Sequence, residues 1–144
     1  AELGFVGQRG LDMGCGTGVL AIVAVKCGAR KMLAVDIDEW ACDSARESIA
    51  LSGVDDCVEV RCGSMAVVAD DEKFDFVLAN INRNILLADM DRYASCMHKG
   101  SELFMSGFYT EDVPAIRQEA ERLGLVFIEC RDQDNWACVK FEKR

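Results

Sequence analysis

One short segment constrains the fold of this chain more than any other: LDMGCGTG, residues 11–18. An apolar stretch enters three glycines at alternate positions, Gly14, Gly16 and Gly18, and a long apolar segment with helical spacing follows at once. Glycines let a backbone turn sharply and approach a ligand closely, and the first amides of a following helix are free to bind one. The segment, called the glycine turn below (residues 14–18), therefore predicts a strand, a ligand-binding turn and a helix.

Strands and helices alternate along the rest of the sequence. Short apolar stretches predict seven strands, at residues 9–13, 32–35, 58–61, 74–79, 102–105, 125–130 and 136–141. Helical segments separate most of them, whereas polar residues alone join the last two, as in a hairpin. This order predicts an α/β fold with a doubly wound, mostly parallel seven-stranded sheet whose last strand is antiparallel. Such sheets bind ligands at the carboxyl ends of their strands.

Several local predictions follow from the helical segments. Thr17 is expected to cap the first helix, Asp38 the second, and Asn84 the helix after the fourth strand. The first helix is apolar on all sides, so both sides are expected to be buried, and residues 98–100 are expected to form a turn. Along this helix Leu20, Val23, Ala24 and Cys27 follow the spacing of one helical face, and Ile22 and Val25 make the other faces apolar as well.

Composition narrows the class of protein. The chain has 144 residues, 51% of them hydrophobic and 28% charged, as expected for one globular domain. Its net charge of −9 argues against a nucleic-acid partner, which normally requires a basic face. No apolar stretch reaches membrane-spanning length and no signal peptide opens the sequence, so we expect no membrane association and a cytoplasmic location.

The eight cysteines give no sign of a metal site. None of them has C-x-x-C spacing and His98 is the single histidine, whereas a zinc site needs clustered ligands. Most of the cysteines lie in apolar segments, which predicts buried, reduced thiols and a reducing compartment.

Two acidic residues suggest which ligand the glycine turn binds. Asp36 ends the second strand, where a carboxylate can accept both hydroxyls of a ribose. The spacing G-x-G-x-G differs from the dinucleotide fingerprint G-x-G-x-x-G, whose third glycine would fall at Val19. That shift, together with Asp12 two residues before the first glycine, favours S-adenosyl-L-methionine over a pyrophosphate. The lysine of a nucleoside-triphosphate loop is also absent from the sequence.

These segments resemble a known enzyme class. Residues 12–18 and 35–38 resemble motifs one and two of class I S-adenosylmethionine-dependent methyltransferases, which have a Rossmann-like fold. Residues 74–81, 105–108 and 135–136 resemble, more narrowly, the family that methylates large-subunit ribosomal protein L11, and the likeness covers nearly the whole chain. The resemblance implies a protein N-methyltransferase that modifies amino groups of L11, on lysine side chains, the N-terminal α-amine or both.

The resemblance also implies site residues. Gly14 would approach the amino-acid part of the cofactor, Asp36 would hold the ribose and Asn80 would sit beside the methyl donor as the catalytic residue. Gly63 and Ser64 would lie near the adenine. The full set of expected cofactor-binding residues is Asp12, Gly14, Gly16, Asp36, Ile37, Gly63, Ser64 and Asn80, with no metal ligands.

In that family, an N-terminal substrate-recognition domain and a linker precede the catalytic domain. A threonine just upstream of the segment represented here also contacts the cofactor. Only thirteen residues precede Gly14 in this sequence. The resemblance therefore implies that residues 1–144 are the catalytic domain and that substrate recognition lies outside them.

Methyl transfer is an in-line displacement that chiefly requires alignment of the acceptor, the methyl group and the sulfur. The acceptor amine must be neutral, and a lysine side chain with a pKa of about 10.4 has to lose its proton first. His98 is predicted to lie a helix away from the strand ends. We therefore expect Asn80 and nearby carbonyls to orient the amine, rather than a strong base to deprotonate it.

Three alternatives stay open. A methyltransferase could act on a small molecule, another protein or nucleic acid, although the segment Asn80–Arg83 lacks the proline and aromatic residue of adenine and glutamine-amide methyltransferases. A non-catalytic module could bind S-adenosylmethionine and regulate a partner, and an oxidoreductase would bind nicotinamide instead.

Trp136 is expected to pack in the core or at a rim, and Arg83 to be either a solvated charge or a substrate contact.

Overall fold

A computed structural model describes residues 5–80 and 83–144. The chain falls into two compact units, with the division between Ala69 and Asp70. Across the described residues, seven strands form a mixed sheet in which most pairs are parallel. The predicted α/β class, with its antiparallel last strand, is confirmed.

The first unit contains three parallel strands in the order β3-β2-β1. Its elements are β1 (Arg9–Met13), α1 (Val19–Lys26), β2 (Lys31–Asp36), α2 (Glu39–Leu51), β3 (Val58–Cys62) and a 3₁₀ turn (Met65–Val67). Asp38 caps α2, as predicted, by accepting a 2.9 Å hydrogen bond from the Trp40 amide. Met13 pairs with Val35, and Asp36 pairs with Cys62, so the three strands end side by side.

The second unit has four strands in the order β4-β5-β7-β6. Its elements are β4 (Phe74–Asn80), α3 (Arg83–Ser95), β5 (Met97–Tyr109), a 3₁₀ turn (Thr110–Asp112), α4 (Val113–Arg122), β6 (Leu125–Gln133) and β7 (Trp136–Lys143). β4 and β5 are parallel, and β7 runs antiparallel to both β5 and β6. Asp134 and Asn135 form the predicted hairpin turn between β6 and β7, and both have positive φ angles, as two-residue hairpin turns require.

The predictions that both sides of α1 are buried and that Thr17 caps it are wrong. Its buried residues are Ala21 and Ala24, whereas Leu20 is 45% exposed and Val23 is 44% exposed. Because the helix is apolar on every side, spacing alone could not identify the face that packs inward. Gly18, not Thr17, is the cap, since the chain leaves the turn through a left-handed residue (φ 84°).

Two boundaries in the second unit also differ from the prediction. β5 begins at Met97, so residues 98–100 belong to an irregular part of the strand rather than to a separate turn. There the Ser101 hydroxyl donates to the Phe74 carbonyl at 2.8 Å and accepts from the His98 amide at 3.0 Å, which holds the extra residues against β4. Asn84 lies inside the first turn of α3 instead of capping it.

The cysteines are free thiols, as predicted, but fewer are buried than expected. Cys15, Cys42 and Cys96 are buried, whereas four are exposed: Cys27, Cys62, Cys130 and Cys138. The described residues contain no group of three or more potential metal ligands. None of the described helices combines the length and the apolarity needed to cross a membrane.

Candidate functional site

The glycine turn leaves β1 in a tight, left-handed path. Gly14, Gly16 and Gly18 have φ angles of 81°, 55° and 84°, a region that glycine adopts without strain. The amides of Gly14 and Cys15 both donate to the Val35 carbonyl, at 2.8 and 3.0 Å. The turn is thereby attached to the end of β2, and the path that the alternate glycines predicted is confirmed.

Space as well as backbone conformation requires glycine at the end of the turn. A Cβ atom at Gly18 would lie 3.3 Å from the Cβ of Ala45 on α2. The turn thus runs close to α2, and a side chain at this position would push the two apart.

Asp36 lies directly against the glycine turn. Its Oδ2 accepts a 2.9 Å hydrogen bond from the Gly16 amide, and its Oδ1 accepts a 3.0 Å bond from the Asp38 amide. The carboxylate is half-buried, so ligand hydroxyls can still reach it. The sequence predicted that Asp36 and the glycine turn meet, and the structure brings them together.

The predicted adenine-side residues lie at the same edge of the first unit. The Gly63 amide donates to the Asp36 carbonyl at 2.8 Å, which places residues 63 and 64 beside the end of β2. The Ser64 hydroxyl accepts a 3.2 Å bond from the Ala66 amide, and Ile37 exposes 68% of its surface. An apolar side chain and a polar loop therefore flank Asp36.

Asp12 is buried near this edge without a partner. Its side chain is 0% exposed, and neither carboxylate oxygen has a hydrogen bond within the described part of the chain. Burial, and secondarily the negative charge of Asp36, raises the pKa of the Asp12 carboxyl to about 7, although the Ala21 amide offsets part of the rise. Burying a charged carboxylate without a partner costs free energy, so a cation or a hydrogen-bond donor beside Asp12 would stabilise its charged form.

We expect Asp12→Asn to stabilise the ligand-free protein most at alkaline pH. The folded protein keeps the Asp12 proton up to about pH 7, whereas the unfolded chain loses it near pH 4. Wild-type stability therefore falls as pH rises between these values, while that of the neutral variant does not. The free energy of unfolding by urea should favour the variant by about 2.6 kcal/mol more at pH 8 than at pH 5.

Exposed Asp55, replaced by asparagine, is the matched control and should show no such pH dependence. An Asp12→Asn advantage of equal size at both pH values would show that Asp12 is ionised throughout, which would contradict the prediction.

Three thiols surround Asp36, and the sequence reasoning assigned them no place there. Cys42 Sγ donates to the Asp36 carbonyl at 3.3 Å, and Cys62 Sγ lies 3.8 Å from the Ile37 carbonyl. Cys15 belongs to the glycine turn itself, and burial raises the pKa of its thiol to about 12, so it stays protonated. The pairing of Asp36 with Cys62 across β2 and β3 could be found only from the strand register.

Asn80 belongs to the second unit, at the carboxyl end of β4. It is exposed and pairs with Ser106 on β5. Asn80 lines an open groove of about 600 Å³. Its lining includes Asn80, Ser106, Gly107, Arg131, Asp132 and Trp136.

Trp136 lies at the rim of this groove, whereas the sequence predicted either the core or a rim. It is 52% exposed, and its ring stacks on that of Tyr109 with centroids 4.8 Å apart. Asp132 also lines the groove. An exposed aromatic surface close to a carboxylate is suited to a cationic or polar side chain.

The remaining polar residues near β4 have structural partners. Arg83 forms a 3.2 Å ion pair with Asp112, which favours a structural role over a substrate contact. His98 Nε2 lies 2.6 Å from Asp75 Oδ1, near the other end of β5 from Ser106. Ile81 and Asn82, which complete the predicted loop after Asn80, lie outside the described residues.

The first unit therefore assembles seven of the predicted residues around the end of β2, and Asn80 is placed at a groove of the second. A family model described as ribosomal protein L11 methyltransferase (PrmA) matches residues 6–144. The chain belongs to this family.

Relatives in the L11 methyltransferase family are similar over nearly all of this chain. The ribosomal protein L11 methyltransferase of Phocaeicola vulgatus is 49% identical over 140 residues, which are 97% of this chain and 50% of that protein. The one of Bacteroides fragilis is 53% identical over 135 residues, 94% of this chain and 48% of that protein. The chain spans about half the length of the curated relatives that it matches.

Solved structures agree with the family assignment. The crystal structure of ribosomal protein L11 methylase from Lactobacillus delbrueckii subsp. bulgaricus has a TM-score of 0.90 at 28% identity, covering 99% of this chain and 73% of that one. A putative methyltransferase from Thermoplasma acidophilum has a TM-score of 0.83 at 16% identity, covering 96% of this chain and 69% of that one. The second likeness concerns the fold alone.

Proposed function

We propose that this chain is the catalytic domain of an S-adenosyl-L-methionine-dependent enzyme that methylates amino groups of ribosomal protein L11. The observation that carries the proposal is the contact between Asp36 and the glycine turn, in a chain that belongs to the L11 methyltransferase family. Recognition of L11 would depend on a further domain, because the relatives named for that substrate are about twice as long. A ribosomal substrate also fits a cytoplasmic location.

The chemical character of the site fits the proposed cofactor. S-adenosyl-L-methionine combines a ribose diol with two cationic groups, a sulfonium and an ammonium. The half-buried Asp36 carboxylate can accept hydrogen bonds from the diol. The unpartnered Asp12 carboxyl, whose pKa is about 7, can lose its proton when a cation binds nearby and then supplies negative charge close to the turn. When bound, the cofactor would supply the electrophilic methyl group.

Each cofactor-binding residue has a proposed role. Gly14 and Gly16 leave room for the amino-acid part of the cofactor to approach the backbone. Asp36 holds the ribose, with Ile37 packed beside it, and Gly63 and Ser64 lie near the adenine. Asp12 balances positive charge from its buried position.

Asn80 is the proposed catalytic residue, and its task is orientation. The carbonyl oxygen of its side chain can accept a hydrogen from the acceptor amine, so that the nitrogen lone pair points in one direction. Partial burial in the groove lowers the pKa of an amine and favours its neutral form. His98, the single histidine of these 144 residues, is held by Asp75, so the acceptor proton leaves to solvent rather than to this imidazole.

The function is tested by incubating the full-length protein with methyl-labelled S-adenosylmethionine and purified L11. We expect label on L11, with mass spectrometry locating it on lysine side chains, the α-amine or both. An enzyme that labels small molecules or another protein but leaves L11 unlabelled would contradict the proposed substrate. Tight cofactor binding with no transfer to any acceptor would indicate a non-catalytic module, and binding of nicotinamide instead would indicate an oxidoreductase.

The acidic surface makes nucleic acid a useful control acceptor in the same assay. With a net charge of −9, the chain should leave ribosomal RNA unlabelled. Label on RNA at a rate similar to that on L11 would contradict the proposal of a protein acceptor.

A further inference from the structure

Two thiols from different elements meet beside Asp36. Cys42 lies on α2 and Cys62 ends β3. Cys42 Sγ lies 3.3 Å from the Asp36 carbonyl, and Cys62 Sγ lies 3.8 Å from the carbonyl of the next residue, Ile37. Cys42 Sγ is also 3.9 Å from the Arg61 carbonyl, one residue before Cys62. The two thiols therefore face the same two-residue stretch of backbone from separate elements, and a movement of α2 toward the end of β3 can bring the sulfur atoms to bonding distance.

The two thiols differ in access to solvent. Cys62 is exposed, whereas Cys42 is 1% exposed. Burial raises the pKa of the Cys42 thiol to about 11, which keeps this thiol protonated. A dissolved oxidant therefore reaches Cys62 first, and Cys42 is positioned to react second.

We propose that Cys42 and Cys62 are a modification site, a peroxide-sensitive pair that forms a disulfide beside Asp36, the residue proposed to hold the ribose. In the first step Cys62 Sγ attacks hydrogen peroxide, an S–O bond forms as the O–O bond breaks, and one water leaves with the thiol proton. In the second step Cys42 Sγ attacks the sulfenic sulfur, an S–S bond forms as the S–O bond breaks, and the Cys42 thiol proton joins the departing hydroxide, so that a second water leaves. Two thiols are oxidised by two electrons, and one peroxide is reduced.

The bond would change the site through Asp36 and Ile37. In the reduced protein Cys42 donates to the Asp36 carbonyl, and the Cys62 thiol faces the Ile37 carbonyl. The disulfide removes both S–H donors and draws the first turns of α2 toward the end of β3, because bonded sulfurs lie about 2 Å apart. We therefore expect cofactor affinity to fall about tenfold, equivalent to the loss of one or two hydrogen bonds. This effect rests on the proposed function, whereas formation of the disulfide does not.

Tryptic peptide mapping tests the bond directly, since cleavage after Lys31, Arg46, Arg61 and Lys73 separates the neighbouring cysteines. After peroxide treatment of the full-length protein and alkylation of free thiols, peptide 32–46 should be linked to peptide 62–73. The linked pair should be lighter than the two peptides together by two hydrogen atoms, and dithiothreitol should separate it. Cys57, in peptide 47–61, should remain alkylated.

Other products of the same digest would overturn the proposal. One is a Cys62 oxidised to sulfinic acid beside an alkylated Cys42, and the other is a Cys62 linked to a different cysteine. Cys62→Ser should abolish the linked pair. Exposed Cys27, replaced by serine, is the matched control and should leave the pair intact.

Calorimetric titration with S-adenosylmethionine tests the consequence. Peroxide should lower the affinity of the wild type and of Cys27→Ser about tenfold and leave that of Cys62→Ser unchanged. If the disulfide forms and the cofactor affinity does not fall, the proposed effect of the disulfide on cofactor binding through Asp36 would be overturned. If the reduced protein does not bind the cofactor at all, the proposed function fails, and the peptide map still decides whether the modification site exists.

Discussion

Asn80→Ala in the full-length protein is expected to lower the rate of methyl transfer to L11 by about a hundredfold or more. Asn80 is exposed at the end of β4, where it begins the groove lined by Asp132 and Trp136. Without its amide, the amine loses the side-chain acceptor proposed to direct its lone pair, and loss of a single positioned polar group commonly costs a factor of about 10²–10³. Single-turnover transfer of labelled methyl groups measures the effect.

The control for this prediction is Asn84→Ala, which replaces an exposed asparagine four positions later in the sequence, in the first turn of α3. It should transfer methyl groups at nearly the wild-type rate. Cofactor affinity, measured by calorimetry, should change little in Asn80→Ala, because the expected loss concerns the acceptor. Near-normal turnover of Asn80→Ala would remove Asn80 from the catalytic role.

Asp36→Ala is expected to weaken cofactor binding by about a hundredfold. A hydrogen bond to a charged group is worth about 1.5–3 kcal/mol, and a ribose offers two hydroxyls. The variant also leaves the Gly16 and Asp38 amides without the acceptors that hold them at 2.9 and 3.0 Å. The glycine turn should therefore lose part of its order together with the ribose contact.

A second variant separates these two effects. Asp36→Asn keeps the side-chain volume and one acceptor oxygen, so its melting temperature should stay closer to that of the wild type than that of Asp36→Ala. Its cofactor affinity should still fall, since the charge is gone. The control is Asp55→Ala, which deletes an exposed carboxylate of the same unit and should leave cofactor affinity unchanged. Unchanged affinity in both Asp36 variants would show that Asp36 does not bind the cofactor.

The sequence predicted the framework of the site because each signal was local. Glycines at alternate positions 14, 16 and 18 indicate a turn with positive φ angles, which the structure has. An acidic residue that ends a neighbouring parallel strand lies at the same edge of the sheet as this turn. The contact between Gly16 and Asp36 followed from these two facts. The cap at Asp38 was equally local.

What escaped prediction depends on how elements pack. In α1 every side is apolar, so only the folded unit reveals that Ala21 and Ala24 face inward. Cys42 and Cys62 are twenty residues apart in the sequence, and their contact depends on the register of β3 and on the seating of α2. The exposure of Cys62 likewise follows from its place at a strand end.

The bonding of Asp36 has a consequence for large-scale mutagenesis. Its side chain accepts from the Gly16 and Asp38 amides and so holds the glycine turn and the start of α2, contacts that most substitutions would remove. A library of single variants selected only for cellular abundance should deplete substitutions at Asp36 nearly as strongly as those at core positions. Intolerance at this position would then report folding and ligand contact together, whereas exposed Asn80 should accept change freely in an abundance screen and be lost only when growth depends on activity.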